Sequence, residues 1–219
     1  MIYEFAFTGR MPLLMHHDNI DGADEVRAWC ESDEGKKLSK AGDDRTPPWT
    51  WQTYLYHDGE HVSIPCDNIM AALRFGGSKV TLKGAATFKN LTQSGLVLLD
   101  EHCPLLVNGK PLPIAKIHAF KDRPFPEHVQ AAKRLGFSLF TKRARIEKKK
   151  HIRVRPRFDE WAVKGRIQVL DPVITPDALK AILEATGRMA GLCDWRPGAE
   201  YPLKAGPYGV FEATARRVD

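Results

Sequence analysis

The strongest chemical signal in this sequence is a run of positively charged side chains between positions 142 and 157. The run holds nine Lys and Arg residues and one acid, Glu147, for a net charge of +8. In an extended strand, alternate side chains share a face, and five basic side chains at that spacing span roughly 27 Å. Guanidinium groups bind phosphate through paired hydrogen bonds and also stack on bases. The run therefore predicts a nucleic-acid-binding strand, whose shared face carries Lys149, His151, Arg153, Arg155 and Arg157.

The alternative for this basic run is the solvated outer face of an exposed hairpin. We favour binding because no acids alternate with these bases, so ion pairing within the chain is expected to be scarce nearby. The predicted contacts from the run are Lys142, Arg143, Arg145, Lys148, Lys149, Lys150, Arg153, Arg155 and Arg157.

A second group of candidate contacts lies in a long glycine- and proline-rich loop over 194–209. Trp195 and Arg196 could stack on bases or bind phosphate there, together with Tyr208. A Trp195 buried against the core, with Arg196 facing outward, is an equally good interpretation. Lys79 and Lys83 could line the same nucleic-acid-binding groove as these residues. An ordinary solvated loop explains the two lysines equally well.

Several histidines and acids raise the question of catalysis. His16, His17 and Asp18 adjoin in a polar loop, but neighbouring side chains of a strand point to opposite faces, which is unfavourable for shared metal ligation. His118 or His151 could be the base of a ribonuclease, but no Tyr, Ser or Lys lies at a spacing that supports this role. The sequence also contains no Walker loop, nucleophile elbow or HExxH motif. We therefore predict no catalytic residue, no metal and no cofactor.

The charge of the chain is divided unevenly along its length. The whole chain carries +6, so the residues outside the basic run carry the difference between +6 and +8, a net of −2. Segment 18–60 has eleven acids and five bases, a net of −6.

The four cysteines are scattered without a CxxC pair, which favours reduced thiols and a cytoplasmic location. No apolar run approaches the roughly 20 residues of a membrane span, so no membrane partner is expected.

The elements that must position these residues follow from periodicity and capping signals. Residues 2–9 and 160–170 alternate apolar and polar side chains, which is typical of strands. Thr175 followed by Pro176 predicts the start of a helix. We predict one antiparallel sheet with two helices on one face; its strands are 2–9, 151–157, 160–170 and 209–216, and its helices lie near 66–76 and 176–190.

These elements predict an α+β fold with a ferredoxin-like (RRM-like) βαββαβ core. We expect one domain over 1–219, with an acidic insertion at 18–60. A β-rich subregion at 78–141 is expected as a large insertion between the first helix and the second strand. Smaller predictions are a hairpin formed by 50–57 and 61–65, and a strand over 114–120.

Three segments carry a resemblance to a known family. These are FAFTGRMPLLM (5–15), IPCDNIMAALR (64–74), and the ending GLCDWRP…GPYGVFEA (191–213). Together they resemble the RAMP superfamily, and most closely the repeated backbone subunits of CRISPR effector complexes. The ending also looks like that of small phage and prophage proteins.

The resemblance implies a non-enzymatic protein that binds RNA, guide or target, along its sugar–phosphate backbone. It also implies partners among other copies of the chain and other effector-complex subunits. One type of backbone subunit in this superfamily cleaves RNA with an aspartate in an early loop, which draws attention to Asp18 and Asp21. A ribonuclease of the same superfamily and a phage-encoded single-stranded DNA-binding protein are the alternatives.

Overall fold

The computed structural model describes residues 1–38, 46–146, 149–199 and 204–219, with side chains for all of these except residues 38, 143–146 and 149–152. Within them the chain is a mixed α+β protein with antiparallel sheets, so the predicted α+β class is confirmed. The strands are β1 (Ile2–Gly9), β2 (Leu13–Leu14), β3 (Ser63–Pro65), β4 (Thr81–Lys83), β5 (Ala86–Thr87), β6 (Leu96–Leu98), β7 (His102–Val107), β8 (Lys110–Pro111), β9 (Ser138–Ile146), β10 (Lys149–Phe158), β11 (Ala162–Val169) and β12 (Phe211–Arg217). The helices are α1 (Ile20–Glu31), α2 (Asp33–Leu38), α3 (Cys66–Gly77), α4 (Leu91–Ser94), α5 (Ile114–His118), α6 (Phe125–Arg134) and α7 (Pro176–Ala185).

The main sheet has the order β12-β1-β11-β7-β3, with β6 added beside β11 and β8 beside β7. Its inner face buries Tyr3, Phe5 and Phe7 of β1. Phe5 lies opposite Gly165 of β11, and a Cβ at Gly165 would collide with the Phe5 ring. The glycine therefore makes room for an aromatic side chain in the centre of the core.

The prediction that the first, third and last of the four strands share one sheet is confirmed, because β1 lies between β11 and β12. The placement of the basic strand is wrong. Strand β10 belongs to a separate three-stranded sheet, β2-β10-β9, and β7 lies beside β11 instead. The hairpin partner β9 pairs with β10 over nine residue pairs, so local pairing satisfies the backbone groups along one side of β10.

Helices α3 and α7 bury Leu73 and Leu179 in the same core as Phe5. Helix α7 begins as predicted, because the Thr175 hydroxyl accepts a hydrogen bond from the Ala178 backbone N–H at 3.2 Å. A π-helical turn continues it over Thr186–Ala190. At the crossing of α3 with this turn, a Cβ on Gly76 would collide with Thr186. The two helices therefore approach more closely than larger residues would allow.

Of the two smaller predictions, the hairpin is wrong in part and the strand is wrong. Residues Thr50–Tyr54 form a 3₁₀ turn, and the Thr50 hydroxyl at its start donates to the preceding Pro47 carbonyl at 2.8 Å. The turn end of the hairpin expected there is present, as an isolated bridge between His57 and Val62 and a backbone hydrogen bond from the Ser63 N–H to the Tyr56 carbonyl at 3.0 Å. Residues 114–118 form α5 rather than a strand, because Ile114 and Ile117 then lie on one side of a helical turn and are both buried.

In the part of the chain that the structure describes, no helix combines the length and apolar character needed to cross a membrane.

Candidate nucleic-acid interface

The candidate interface is built on the β9–β10 hairpin. Phe140 lies directly opposite Arg155, and Lys142 lies opposite Arg153. Residues directly opposite one another in an antiparallel pair share a face of the sheet. These four residues therefore form one face of the hairpin. By the same alternation, positions 143, 145 and 150 belong to the other face, so the predicted contacts of the basic run are divided between two sides.

The C-terminal loop lies against the face that carries Lys142. The Lys142 ammonium is 3.3 Å from the centroid of the Trp195 ring. Tyr208 packs against both Trp195 and Phe140, with ring centroids 5.3 and 5.8 Å apart. An ammonium above an indole face is a favourable cation–π contact. The structure thus brings together two candidate contacts, Lys142 and Trp195, which lie 53 positions apart in the sequence.

The backbone around Trp195 adopts an unusual conformation. Trp195 has φ +50° and Cys193 has φ +59°, both in the left-handed region that residues with side chains rarely adopt. The indole N–H donates to the Ala205 carbonyl at 3.2 Å, and a Cβ at Gly206 would collide with the ring. Trp195 is half-buried. Its position is therefore fixed by contacts within the loop, and part of the ring is open to solvent.

Arg155 forms an ion pair with Asp194, the residue between those two left-handed positions. The Arg155 Nη1 lies 2.6 Å from the Asp194 Oδ2, and their side chains are 17% and 26% exposed. That carboxylate oxygen has no aligned hydrogen-bond donor among the described atoms, so the contact is mainly electrostatic. The Asp194 backbone N–H also donates to the Leu14 carbonyl at 3.0 Å. Arg155 and Asp194 thus connect the basic hairpin to the C-terminal loop.

His16 lies beside this ion pair. Arg155 donates from Nη2 to the His16 Nδ1 at 3.4 Å, and the His16 ring meets Tyr54 edge-on at 4.4 Å. Burial, followed by the positive charge of Arg155, lowers the pKa of His16 below its usual value. The imidazole is therefore neutral at neutral pH, which suits it to accept this hydrogen bond.

The expectation that ion pairing is scarce around the basic run is wrong for two arginines. Besides the Arg155–Asp194 pair, Arg157 binds Asp159 through Nη2 at 2.6 Å and through Nε at 2.8 Å. The sequence pattern missed both because the acids lie outside the run. Lys142 and Arg153 differ from these two arginines, since no acid in the described part of the chain lies within ion-pair distance of them.

The remaining predicted contacts lie in other places. Arg196 turns back and donates to the Cys193 carbonyl at 2.7 Å, so it stabilises the loop conformation. Lys79 follows α3 and lies over the Phe75 ring at 4.8 Å. Lys83 ends β4, in a two-stranded sheet of its own with β5. Lys148 lies outside the described residues, and so do the side chains of Arg143, Arg145, Lys149 and Lys150.

The residues considered for catalysis are dispersed. His17 lies against Tyr56 with ring centroids 4.7 Å apart, whereas Asp18 and Asp21 are exposed. His118 is exposed, and the side chain of His151 lies outside the described residues. Among the residues that the structure describes, no group of three or more His, Cys, Asp or Glu side chains could hold a metal ion.

Sequence reasoning missed two members of this interface. Asp194 was not recognised as a partner of Arg155, and Phe140 was not recognised as part of the aromatic group with Tyr208. Phe140 carries a usable signal, because it precedes the first base of the run by two positions and so shares its face in a strand. The left-handed backbone at Cys193 and Trp195 has no signal in the sequence, since neither is a residue type that favours that conformation.

No protein-family model matches this sequence, and a search of curated proteins also finds no match.

Proposed function

We propose that this chain binds single-stranded nucleic acid, with RNA as the principal ligand, and that it does so without cleaving it. The binding surface is the hairpin face that carries Lys142 and Arg153, together with Trp195 and Tyr208 of the C-terminal loop. The observation that carries the proposal is the Lys142 ammonium, 3.3 Å from the centroid of a half-open Trp195 ring. A surface that binds single strands has two components, which are cations that contact phosphates and aromatic rings on which bases stack.

The two components have different roles in this proposal. Lys142 and Arg153 bind phosphates, so their contribution depends on salt and is independent of base sequence. Trp195 stacks on a base, which contributes about 1–3 kcal/mol and depends little on salt. A base that enters this position displaces the Lys142 ammonium from the ring, and the ammonium is then available to a neighbouring phosphate.

The order of the main sheet supports a ferredoxin-like core for this protein. Strands β12-β1-β11-β7 are antiparallel, α3 lies between β1 and β7 in the chain, and α7 lies between β11 and β12. A βαββαβ unit has this fourth-first-third-second order. In this assignment the second strand is β7, so the large insertion follows it and contains the basic hairpin.

The repeated-subunit role in a CRISPR-type ribonucleoprotein stays a prediction of the resemblance. In that model, the acidic segment 18–60 of one copy meets the basic hairpin of the next copy along the RNA. Such a head-to-tail contact leaves an open filament. Light scattering should then show larger assemblies with RNA than without it.

The experiment is a salt titration of binding to a labelled single-stranded RNA, a DNA of the same sequence, and the RNA duplex. Each phosphate contact contributes about −0.7 to the log–log slope for a single strand. The double variant Lys142→Gln and Arg153→Gln should therefore flatten the slope by about 1.4. Trp195→Leu should weaken binding and leave the slope unchanged. Arg155 is left intact, because its loss also breaks the ion pair with Asp194.

Lys164→Gln is the matched control, because it removes one exposed positive charge from a strand of the main sheet. Lys164 lines a shallow cavity of about 540 Å³ on the open face of that sheet, away from the helices. The log–log salt slope of RNA binding by Lys164→Gln should equal that of the wild type. If Lys164→Gln flattens the slope and the double variant does not, the open face is the binding surface and the proposal is wrong. Shortened RNA products on a gel would identify the ribonuclease alternative, and tighter binding to DNA would identify the phage-type alternative.

A further inference from the structure

Among the residues that the structure describes, strand β12 is an edge of the main sheet, because it pairs with β1 on one side and ends the strand order. The Val218 N–H donates to the Ile2 carbonyl of β1, and the Val210 carbonyl accepts from the Arg10 N–H directly after β1. In an antiparallel pair these contacts alternate, so even-numbered residues of β12 bond to β1. The odd-numbered residues direct their N–H and C=O groups to the free edge. Such an edge is a template for another strand.

The sequence of β12 is complementary to itself in one antiparallel register. Backbone bonding across the edge requires odd-numbered residues to face one another. A pairing centred on Thr214 satisfies this by placing Ala213 opposite Ala215 of a second copy. It also places Glu212 opposite Arg216, twice by symmetry. Centring the pair on Ala213 or Ala215 places Glu212 opposite Thr214 or Val218 and loses both ion pairs.

The charged side chains are already arranged for this contact. Glu212 and Arg216 are both exposed on the open face of the sheet. Within the chain, Glu212 pairs with Arg10, and Arg216 pairs with Glu4 at 2.8 Å. In the self-pairing, Glu212 and Arg216 occupy non-hydrogen-bonded positions, where side chains across two strands are closest. The result is a row of alternating charges across both copies, with no like charges opposite one another.

The helix side of the same edge is open. The inward residues Ala213 and Ala215 are small and leave a groove of about 390 Å³ between β12 and α7. Tyr3, Leu179 and Leu183 line its floor. A two-fold axis perpendicular to the sheet puts the α7 helices of both copies on the same side, with the two grooves facing one another. Pairing through β12 therefore covers apolar surface on one face while it joins charges on the other.

We propose that two copies of this chain pair through β12 and form a symmetric dimer with one continuous sheet. The contact is isologous and closes on itself. It uses neither the basic hairpin nor the acidic segment, so it goes beyond the proposed function and does not depend on nucleic acid.

Sedimentation of the full chain without nucleic acid tests this proposal. At a concentration of about 0.1 mM, the wild type should have about twice the monomer mass of 24.6 kDa. Glu212→Arg and Arg216→Glu each place like charges opposite one another. The dimer of each variant alone should therefore have a Kd at least about tenfold higher than that of the wild type. Mixing the two variants places an acid opposite a base at both positions, and the mixture should form dimers again.

Lys164→Glu is the control, because it reverses an exposed charge on the same face away from the edge, and it should remain dimeric. Circular dichroism of each variant confirms folding, since the exposed ion pairs within the chain contribute little to stability. A monomeric wild type contradicts the proposal, as does a mixture that stays monomeric. Neither result affects the salt titration, so a failure here is distinguishable from a failure of the proposed function.

Discussion

Removing the carboxylate of Asp194 tests whether its ion pair with Arg155 holds the C-terminal loop against the basic hairpin. Truncating one partner of a fully buried pair costs about 3–5 kcal/mol, because the other charge is left unpaired. Here the two side chains are 17% and 26% exposed, so water screens part of that cost. We therefore expect Asp194→Ala to lower the free energy of unfolding by about 1.5–3 kcal/mol. For a chain of this size that corresponds to a melting temperature lower by about 4–10 °C.

The assay is urea unfolding of the wild type, Asp194→Ala, Arg155→Ala and the double variant. If the two side chains stabilise the fold through each other, the coupling energy of the cycle should be about 1–2 kcal/mol. Asp159→Ala is the matched control, because it breaks the more exposed pair with Arg157 and should cost at most about 1 kcal/mol. Single-variant effects that add to within about 0.5 kcal/mol would refute the reasoning.

The remaining predictions concern salt, assembly, pH and packing. The double variant at Lys142 and Arg153 should flatten the salt dependence of RNA binding by about 1.4 in log–log slope, and reversed charges on β12 should dissociate the dimer until the two variants are mixed. Burial lowers the pKa of His16 and the pKa of His128, a buried residue of α6. Below the ordinary histidine pKa of about 6.5, the unfolded chain therefore binds more protons than the folded chain. Stability should thus be fully present above pH 6.5 and fall as the pH drops toward the folded pKa values, and urea midpoints that stay level between pH 7.5 and 5.5 would contradict this. Gly76→Ala should destabilise by about 1–3 kcal/mol despite the better helix propensity of alanine, because its Cβ meets Thr186; a higher melting temperature would show that the helices can separate there.

Where the relevant physics is local, the sequence alone predicted the structure well. The helix over 66–77 and the start of α7 at Thr175 follow from apolar spacing and capping chemistry, which act within one or two turns. The strand character of β1 and β11 follows from alternation in the same way. Pro65 occupies the N-cap position of α3 and provides no side-chain cap, so apolar spacing rather than capping marks that helix in the sequence.

Only the tertiary structure decided which strands and charges meet. Strand β10 has the alternation of a sheet strand, but alternation does not specify a partner, and the adjacent β9 pairs with it at a small cost in loop closure. Arg155 and Asp194 lie 39 positions apart, and they meet because left-handed backbone at Cys193 and Trp195 turns the carboxylate toward the hairpin. The same turn brings Trp195 under Lys142. Contacts of this kind depend on where distant segments are held by the whole core, and residue type and spacing carry no record of that arrangement.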